Sequence, residues 1–425
     1  MHKMKDSGIE WVSEIPTSWK TIQIKNLFTV LSGATPTPDT DNWDGDILWI
    51  TPADYKTKDK YVAGGKRNIS QQGFNTCSTS MIPKGSIIFS KRAPIGTVAI
   101  NTEVLCTNQG CLSCVSKADT CNDYFYYVMS IGTEHFELLG SGTTFKEISA
   151  NSFSNCKLPY PDKCEQERIA FFLDERCSAF NSLISDIQSQ IETLEEYKRS
   201  VITEAVTKGL DPDVEMRDSG DEWIGMIPDH WKIMRIGRLF HLRNEKNYLP
   251  MEQVQLLSLY TDIGVFPHGE HEERGNKAVT VDGYNIVKKN DIVVNIILAW
   301  MGAIGISNYE GVTSPAYDVY VPDLSKVVPH YFHYVFRTSG IAGECYKYGR
   351  GIMMMRWRTY SSEFKLINVP YPNLREQQQI ADYLDSKCAE IDSIIAEKKQ
   401  QIATIEEYKK SLIFEYVTGK KEVQA

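Results

Sequence analysis

The amino-acid sequence predicts a mixed α/β protein organised as a tandem repeat with a pseudo-twofold axis. In this architecture two globular heads are separated by two long helices, which pair antiparallel as an intramolecular coiled coil. Three observations predict it. One segment occurs twice, two helical segments with a heptad pattern lie at corresponding places, and the two β-rich segments between them differ from each other. A repeat of such a long period determines how the whole chain is organised.

The repeated segment reads KDSGIEWVSEIPTSWK from Lys5 and RDSGDEWIGMIPDHWK from Arg217. Tryptophan is rare, so matched tryptophans at one spacing do not arise by chance. We interpret the segment as packing that fixes each head to the helices, with docking of a partner protein as the alternative. The residues that both copies keep are Trp11, Pro16 and Trp19 in the first, and Trp223, Pro228 and Trp231 in the second.

Each head is predicted to be a compact mixed α/β domain with a substantial sheet. Residues 21–155 contain the runs ILWI, GSIIFS, GTVAI and CLSCV, and residues 233–364 contain DIVVNIIL and AIGIS. Glycine, proline, asparagine and aspartate separate these runs, as they do between short strands. Each head also contains a short aromatic segment with helical character, at 124–129 and at 331–336.

The similar segments that follow the heads carry signals for the start and end of a helix. Asp162 and Asn373 each precede a glutamate at the spacing of a capping box. The first helix is predicted to end before Gly209 and the second at Gly419, because glycine is the usual residue just beyond a helix end. The predicted segments are therefore head one at 1–160, a spacer helix at 161–210, head two at 211–371 and a second spacer helix at 372–425.

The apolar residues of both helices follow a heptad, which predicts a two-helix coiled coil. The alternative, that each helix belongs to the core of a bundle, would require a wider apolar face. A narrow apolar stripe needs a partner, and the other copy in the same chain can supply it. The predicted seam consists of Leu173, Phe180, Ile184, Ile187, Ile191 and Leu194 on the first helix and of Leu384, Ile391, Ile395, Ile402, Ile405 and Leu412 on the second.

Composition places the protein among globular proteins of the cytoplasm. The 425 residues include no apolar run that could cross a bilayer, and the N-terminus lacks the apolar centre of a signal peptide. The ten cysteines include one cluster, Cys106, Cys111, Cys114 and Cys121, whose spacing is compatible with zinc. We interpret these cysteines as free thiols on buried strands, because the corresponding TSPAYDVYV segment of head two contains no cysteine.

These motifs together resemble the specificity subunit of type I restriction–modification systems. The resemblance rests on DSG-x-EW-x₃-IP-x₂-W, on LPYP followed by EQE-x-IA-x-FLD, and on EEYK-x-S-x-I-x-E-x-VT-x-G, and it covers both repeats. It implies that each head is a target recognition domain reading one half of a bipartite, asymmetric site in double-stranded DNA. The helices would set the gap between the half-sites and dock two DNA methyltransferase subunits.

The resemblance also implies that the chemistry belongs to partner subunits. The methyltransferase subunits would use S-adenosylmethionine to methylate adenine N6, and motor-nuclease subunits would use ATP and Mg²⁺ to cut DNA. We therefore expect no catalytic residue, cofactor, metal or membrane contact in this chain. The sequence agrees, since it contains neither a P-loop motif nor a G-x-G-x-x-G segment that opens a helix.

Two alternatives remain open at this stage. The chain could act with a methyltransferase only, or it could be a coiled-coil scaffold whose heads bind proteins. Heads that differ while the spacers match favour recognition of two unlike half-sites, because a scaffold with two equivalent binding sites would keep its heads alike.

Residues that could contact DNA are predicted where basic, hydroxyl and aromatic side chains lie on loops, a combination that suits phosphate contact, base contact and stacking. The net charge of −9 opposes DNA binding by the chain as a whole. We expect acidic faces to be covered by partner subunits. The candidates are Lys66, Arg67, Lys91, Arg92, Thr143, Thr144 and Lys146 in head one and Arg350, Arg356, Arg358 and Tyr360 in head two.

Overall fold

A computed structural model describes residues 3–56, 59–117, 120–142, 146–261, 264–269, 280–351 and 357–423. The chain divides into two compact units. Unit 1 contains residues 1–188 and 399–425, and unit 2 contains residues 189–398. Each unit therefore combines one head with part of each long helix.

Within its described residues, head one contains twelve strands and five short α-helices. Its strands are β1 (Met4–Ile9), β2 (Val12–Pro16), β3 (Lys20–Gln23), β4 (Phe28–Ser32), β5 (Trp43–Ile50), β6 (Tyr61–Val62), β7 (Arg67–Ile69), β8 (Ile87–Lys91), β9 (Ile95–Asn101), β10 (Cys106–Thr107), β11 (Cys111–Ser116) and β12 (Lys157–Tyr160). Its helices are α1 (Ile24–Leu27), α2 (Gln71–Thr76), α3 (Asn122–Ile131), α4 (Thr133–Leu138) and α5 (Ala150–Asn155), and the long helix α6 (Lys163–Lys208) follows.

Head two follows α6 and, in the residues that the structure describes, ends in the same way as head one, with three helices and a final strand. Its strands are β13 (Met216–Asp218), β14 (Met226–Pro228), β15 (Lys232–Arg235), β16 (Phe240–Leu242), β17 (Leu257–Tyr260), β18 (Gly264–Pro267), β19 (Asn285–Val287), β20 (Ile292–Asn295), β21 (Ile304–Ile306), β22 (Gly311–Thr313), β23 (Tyr317–Pro322) and β24 (Asn368–Tyr371). Its helices are α7 (Pro329–Val335), α8 (Ser339–Tyr348) and α9 (Ser361–Phe364), and the second long helix is α10 (Leu374–Val417).

The main sheets of the two heads share one strand order. In head one the order is β4-β11-β8-β9-β6, and in head two it is β16-β23-β20-β21. Cys114 of β11 lies opposite Ile87 of β8, and Tyr320 of β23 lies opposite Ile292 of β20. The cysteine-containing CLSCV strand of head one and the cysteine-free YDVYV strand of head two therefore occupy the same place, as the sequence predicts.

The heads differ in their smaller sheets. Head one adds a three-stranded sheet of order β10-β5-β7, whereas head two adds the antiparallel pairs β17-β18 and β19-β22. One antiparallel pair is common to both heads and joins the start of each head to its end. It is β3-β12 in head one and β15-β24 in head two. The strands that the two heads share and the strands that differ between them thus lie in different parts of each head.

One strand prediction extends too far. The run DIVVNIIL forms strand only over β20, because Asn295 accepts hydrogen bonds from the backbone of Ile297 and Leu298 and turns the chain. The residues that follow form a short 3₁₀ helix at Ala299–Met301. The apolar residues of this segment thus leave the sheet for a turn.

The two long helices run antiparallel where they meet inside unit 1. Phe172 packs on Tyr416, with ring centroids 4.5 Å apart, and Phe180 packs edge-on against Tyr408 at 5.6 Å. The ammonium of Lys409 donates to the side chain of Asn181 at 2.7 Å. As α6 advances from 172 to 181, its partners on α10 therefore move back from 416 to 408.

The same arrangement holds inside unit 2. Lys198 forms an ion pair with Asp392 at 2.6 Å, and Lys398 donates to the side chain of Gln190 at 2.6 Å. Lys398, a charged residue within the predicted seam, is thus accommodated by a hydrogen bond across the helices. The antiparallel pairing is confirmed in each unit, and coiled-coil packing along the whole length stays a prediction.

The predicted seam residues are all buried or partly buried. The buried ones are Leu173, Ile184, Ile187, Ile191, Leu384, Ile391, Ile395 and Leu412, and the partly buried ones are Phe180, Leu194, Ile402 and Ile405. At the outer ends of the helices the seam merges with the core of the heads. Leu173 and Leu412 belong to the main core of head one, and Leu384 belongs to that of head two.

The predicted helix ends agree with the structure. The backbone N–H of Glu165 donates to the side chain of Asp162 at 2.9 Å, and that of Glu376 donates to Asn373 at 3.1 Å. Gly209 and Gly419 have φ of 79° and 71°, the left-handed conformation that ends many helices. Within the described residues, no helix combines the length and apolar character needed to cross a bilayer.

Candidate nucleic-acid interface

The repeated tryptophan segment of unit 1 joins head one to both long helices. The indole Nε1 of Trp19 donates to Oε2 of Glu165, in the first turn of α6, at 2.9 Å. A Cβ on Gly419, beyond the end of α10, would lie 3.1 Å from the ring of Trp19. The buried hydroxyl of Tyr124 also donates to the carbonyl of Val417 at 2.9 Å. Head one thus holds the start of one helix and the end of the other.

Unit 2 reproduces these contacts residue by residue. The indole Nε1 of Trp231 donates to Oε1 of Glu376 at 3.2 Å, and a Cβ on Gly209 would lie 3.2 Å from the ring of Trp231. The hydroxyl of Tyr331 donates to the carbonyl of Val206 at 3.0 Å. The interpretation of the repeated segment as packing between head and helices is therefore confirmed in each unit.

A buried glutamine is the third shared contact. The side-chain oxygen of Gln166 accepts from the backbone N–H of Cys121 at 3.2 Å, and that of Gln377 accepts from the N–H of Val328 at 2.8 Å. Each of these backbone groups lies just before the aromatic helix of its head. The matching parts of the sequence thus form a framework that places the two heads on the helices in the same way.

Three of the predicted DNA-contacting residues of head one, Lys91, Arg92 and Lys146, lie at one end of the strands of the main sheet. Lys91 and Arg92 end β8, and both pair with the carboxylate of Glu147, at 2.8 and 3.5 Å. The N–H of Ile148 donates to the carbonyl of Lys91, which joins the second predicted loop to the first. We call this end of the sheet tip one, defined as the turn 91–96 together with residues 141, 142, 146 and 147.

The corresponding end of the main sheet in head two presents different side chains. Arg350 and Arg358 face each other across the base of the second loop and exchange backbone hydrogen bonds of 2.9 and 3.0 Å. The N–H of Thr359 donates to the carbonyl of Ile296 at 2.8 Å, in the way that Ile148 bonds Lys91 in head one. We call this end of the sheet tip two, defined as the turn 296–302 together with residues 350, 351, 357 and 358.

The remaining basic candidates of head one lie on its smaller sheet. The guanidinium of Arg67 lies over the ring of Trp43, 4.2 Å from its centroid, and pairs with Asp44 at 3.5 Å. The backbone N–H of Lys66 donates to the side chain of Asp54 at 3.1 Å, and its side chain is exposed. Arg67 is thus held against an aromatic ring and keeps half of its side-chain surface in solvent.

The other candidates are placed as follows. Lys146 is exposed within the loop of tip one, and Tyr360 is exposed at the start of α9. Thr143, Thr144 and Arg356 lie outside the described residues. A DNA-contacting role for each candidate stays a prediction.

Sequence reasoning missed three features of these tips. Glu147 was not recognised as the ion partner of two candidate cations. The turn of tip two exposes Leu298 and Met301, whose side chains are 38% and 53% exposed. The sequence feature that could have indicated this exposed turn is the apolar run that continues past the end of β20. Trp300 supports this turn, since its Nε1 donates to the carbonyl of Ile297 at 3.0 Å.

A partly buried ion cluster lies where head one meets the long helices inside unit 1. Lys60 is 13% exposed and pairs with Asp123 at 2.7 Å and with Asp174. Burial lowers the pKa of the Lys60 ammonium, but the hydrogen bonds to both aspartates outweigh this effect, and the pKa is raised. The hydroxyl of Tyr127 also donates to Asp174 at 2.6 Å. The cluster borders a cleft of about 850 Å³ between head one and the helices.

The cysteine cluster of head one lies in the main sheet and beside it. Cys111 and Cys114 are buried on β11, and Cys106 is buried on β10. Burial raises the pKa of the Cys106 thiol to about 11 and that of Cys111 to about 12. These thiols are therefore protonated near neutral pH.

The long helices expose apolar side chains at positions that the repeat duplicates. Leu183 of α6 corresponds to Ile394 of α10, and they are 46% and 36% exposed. Tyr197 of α6 corresponds to Tyr408 of α10, and they are 50% and 56% exposed. Unit 1 contains Leu183 and Tyr408, whereas unit 2 contains Tyr197 and Ile394. Each unit thus presents one apolar pair of the same type.

Comparison with protein families gives a match along most of the chain. The family model for the type I restriction modification DNA specificity domain matches residues 16–193 and 228–404. The two matched stretches correspond to the two halves of the repeat and together include well over half of the chain.

Curated proteins give the same result. The chain is 32% identical over 240 residues to the type I restriction enzyme MjaIX specificity subunit of Methanocaldococcus jannaschii, which is 56% of this chain and 55% of that protein. The alignment thus spans about half of that relative. The type I restriction enzyme EcoBI specificity subunit of Escherichia coli is 22% identical over 394 residues, which is 84% of this chain and 79% of that protein.

Solved structures share the fold. A chain from work on complex assembly and conformational transition of the type I restriction–modification system has a TM-score of 0.69 and 12% identity, over 96% of this chain and 99% of that chain. The HsdS subunit from Thermoanaerobacter tengcongensis has a TM-score of 0.50 and 13% identity, over 96% of this chain and 98% of that chain.

Proposed function

Because this chain belongs to the family of type I restriction–modification DNA specificity proteins, we propose that it selects the DNA sequence on which a type I restriction–modification complex acts. Each head reads one half of a bipartite, asymmetric site in double-stranded DNA. The observation that carries this proposal is the contrast between framework and tips. The framework contacts recur in both units, whereas the tips present different side chains from equivalent backbone positions.

The contrast fits recognition of two different half-sites. Phosphate contacts position a protein on DNA, whereas base contacts determine which sequence it prefers. A shared framework presents both tips in the same way relative to their helices. Differences between tip one and tip two then change only the base contacts, which is what an asymmetric site requires.

The helices are proposed to set the gap between the half-sites. Each helix is continuous over more than forty residues, at 46 for α6 and 44 for α10. A continuous α-helix has a fixed rise of about 1.5 Å per residue, so its length transmits a distance. The antiparallel contacts inside each unit support this role, because paired helices resist bending better than single ones.

Two methyltransferase subunits are the proposed partners of the helices. Each unit exposes one apolar pair, Leu183 with Tyr408 or Ile394 with Tyr197. Apolar side chains exposed at repeated positions mark an interaction surface better than scattered ones do. Two copies of the same pair fit two copies of the same partner, and motor-nuclease subunits join in the full complex.

The chemistry is proposed to belong to those partners, in the cytoplasm where they meet the DNA. S-adenosylmethionine would be held by the methyltransferase subunits, and ATP and Mg²⁺ by the motor-nuclease subunits. This chain contributes recognition and spacing. Its net charge of −9 supports the further proposal that DNA binding is weak for the isolated chain and strong once partners cover its acidic faces.

A head exchange tests the proposal. Residues 233–364 are replaced by the matching region of a relative with a different target, and the chain is expressed with its methyltransferase subunits. We expect methylated adenines, mapped across a genome, to change in one half-site while the other half-site and the gap remain. Unchanged sites, or changes in both halves, would contradict the assignment of one head to each half-site.

A further inference from the structure

Tip one and tip two contain turns that begin and end at equivalent points of the main sheet, which permits comparison of the residues that start each turn. Ser90 lies opposite Cys111, and Asn295 lies opposite Tyr317 at the same place in the main sheet. Each turn then ends at a glycine with positive φ, Gly96 at 94° and Gly302 at 84°. Five residues lie between these points in tip one and six in tip two. The equivalence therefore holds for the residues that directly follow Ser90 and Asn295, where Ile148 and Thr359 form the same backbone hydrogen bond.

The two turns differ in chemistry. Tip one begins with Lys91 and Arg92, both paired with Glu147. Tip two has Ile296 and Ile297 at the same two positions, followed by the exposed Leu298. A charged turn in one head is thus replaced by an apolar turn in the other.

Aromatic rings support the apolar turn from beneath. The ring of Trp300 lies 6.1 Å from that of Tyr346, which stacks on Trp357 at 5.2 Å with an interplanar angle of 22°. The indole Nε1 of Trp357 donates to the carbonyl of Tyr346 at 3.0 Å. Leu298 and Met301 therefore project from a rigid base rather than from a free loop.

Cations border the same turn. Arg350 is 75% exposed and pairs with Glu363 at 2.9 Å, and Arg358, opposite it in the loop, is exposed. An apolar centre with a cationic rim complements a DNA groove, because phosphates form the walls of the groove and base edges form its floor. The cationic rim thus favours DNA as the occupant of the apolar turn.

We propose that head two reads its half-site by apolar contact of Leu298 and Met301 with thymine methyl groups, whereas tip one reads its half-site through charge. The C5 methyl of thymine is the apolar group that base pairs present in the major groove, and apolar side chains recognise it. Lys91 and Arg92 suit guanine or phosphate instead. This inference rests on the proposed function, because it specifies how one head recognises DNA.

Uracil substitution tests the inference, since it removes the methyl group and leaves base pairing intact. The chain assembled with its methyltransferase subunits is titrated with three duplexes that carry the mapped site. One duplex contains thymine throughout, one contains uracil in the half-site of head two, and one contains uracil in the half-site of head one. We expect affinity to fall about four-fold for each contacted methyl group lost in the head-two half-site, and to stay constant in the other.

A double variant gives the matching measurement on the protein. Leu298→Ser with Met301→Ser changes two exposed side chains, so the fold is retained. The variant should bind the thymine duplex more weakly and should no longer distinguish it from the head-two uracil duplex.

Two results would overturn the inference, and they differ in scope. Sequence-specific binding that is unchanged on the head-two uracil duplex would overturn this inference alone. Loss of sequence preference on every duplex would overturn the proposed function as well.

Discussion

The indole N–H of Trp19 and the carboxylate of Glu165 form a 2.9 Å hydrogen bond between residues that lie 146 positions apart in the sequence. The same bond joins Trp231 to Glu376 in unit 2. These pairs connect the repeated segment at the start of each head to the first turn of the helix that follows the head. The most recognisable sequence motif of the chain thus serves attachment of the heads.

Removing the indole N–H should weaken this attachment. Trp19→Phe loses a hydrogen bond to a carboxylate and part of a buried ring, so we expect unfolding free energy to fall by about 2–4 kcal/mol. Trp231→Phe should have an effect of similar size in unit 2. Urea titrations of the two variants would measure both losses. A change below about 0.5 kcal/mol in both would contradict a role of these tryptophans in holding the heads to the helices.

The glycines beyond the long helices should respond unequally to alanine. A Cβ on Gly419 would lie 2.4 Å from Cγ of Pro16, whereas a Cβ on Gly209 would meet its nearest atom, in the ring of Trp231, at 3.2 Å. Both substitutions cost about 1–2 kcal/mol because φ is positive. Gly419→Ala adds an overlap with the proline ring and should cost about 1–3 kcal/mol more. Equal losses of unfolding free energy would contradict this ranking.

Head two contains a buried ion pair that head one lacks. Arg243 and Asp291 form two hydrogen bonds of 2.8 and 2.9 Å, and their side chains are 7% and 2% exposed. Leu31 and Ser86 stand at the corresponding positions of head one.

Removing one partner of this pair should therefore lower the free energy of unfolding more than removing both. Arg243→Leu leaves a buried carboxylate without its guanidinium and should cost about 3–5 kcal/mol. Combining it with Asp291→Ser copies head one, and we expect most of the loss to be recovered. A double-variant cycle by urea unfolding measures this coupling. Additive losses would show that the two residues do not act as a pair.

His333 should make the stability of unit 2 depend on pH. Burial, assisted by Arg337 and His330, lowers its pKa from 6.5 to about 4, while Asp385 acts in the opposite direction. The folded state therefore favours the neutral ring. The neutral ring of His333 therefore contributes on the order of 3 kcal/mol to the free energy of unfolding. This contribution is complete above pH 6.5 and is lost as pH falls from about 6.5 to about 4.

A matched exchange isolates this histidine. Tyr126 occupies the corresponding position on α3, so His333→Tyr should remove this part of the pH dependence, and Tyr126→His should introduce it into unit 1. Urea unfolding at a series of pH values between 7.5 and 4.5 would compare these variants with the unmodified chain. A profile for His333→Tyr that follows the unmodified chain would assign the loss of stability to other groups.

Tip one should contribute to the salt dependence of DNA binding. Replacing Lys91 and Arg92 with alanine should lower the affinity of the assembled complex. If each cation contacts a phosphate, the slope of log affinity against log salt should decrease by about one per residue. Lys84, which is exposed before the opposite end of β8, is the control, and Lys84→Ala should leave the slope unchanged.

The partner of these cations gives a further comparison. Glu147→Gln removes the carboxylate that pairs with Lys91 and Arg92, so DNA affinity should rise. A fall in affinity for Glu147→Gln would show that the carboxylate itself takes part in recognition.

The sequence was sufficient to predict the parts of the fold that depend on local pattern or repetition. Capping at Asp162, the end of α6 before Gly209 and the strands around GSIIFS follow from a few adjacent residues. The antiparallel pairing follows from the repeat, because two equal apolar stripes in one chain have each other as the nearest partners.

The contacts that the sequence did not reveal join residues far apart in the chain. Lys60 meets Asp174 on α6, and Glu147 meets Lys91, without any periodic signal that relates the partners. The apolar turn after β20 was predicted as strand because its composition suits a buried strand, whereas Asn295 bends the backbone there. Side-chain hydrogen bonds of this kind depend on tertiary position, which composition does not encode.

The discontinuity of unit 1 affects its synthesis. Its first part ends at Gln188 and its second begins at Lys399, so the whole of unit 2 emerges from the ribosome in between. At typical elongation rates that interval lasts roughly 10–40 s. During this time the part of α6 around Ile184 lacks the segment of α10 that packs beside it in unit 1. The nascent protein therefore passes through a long stage in which chaperones, or a second nascent copy, have access to a surface that the finished molecule hides.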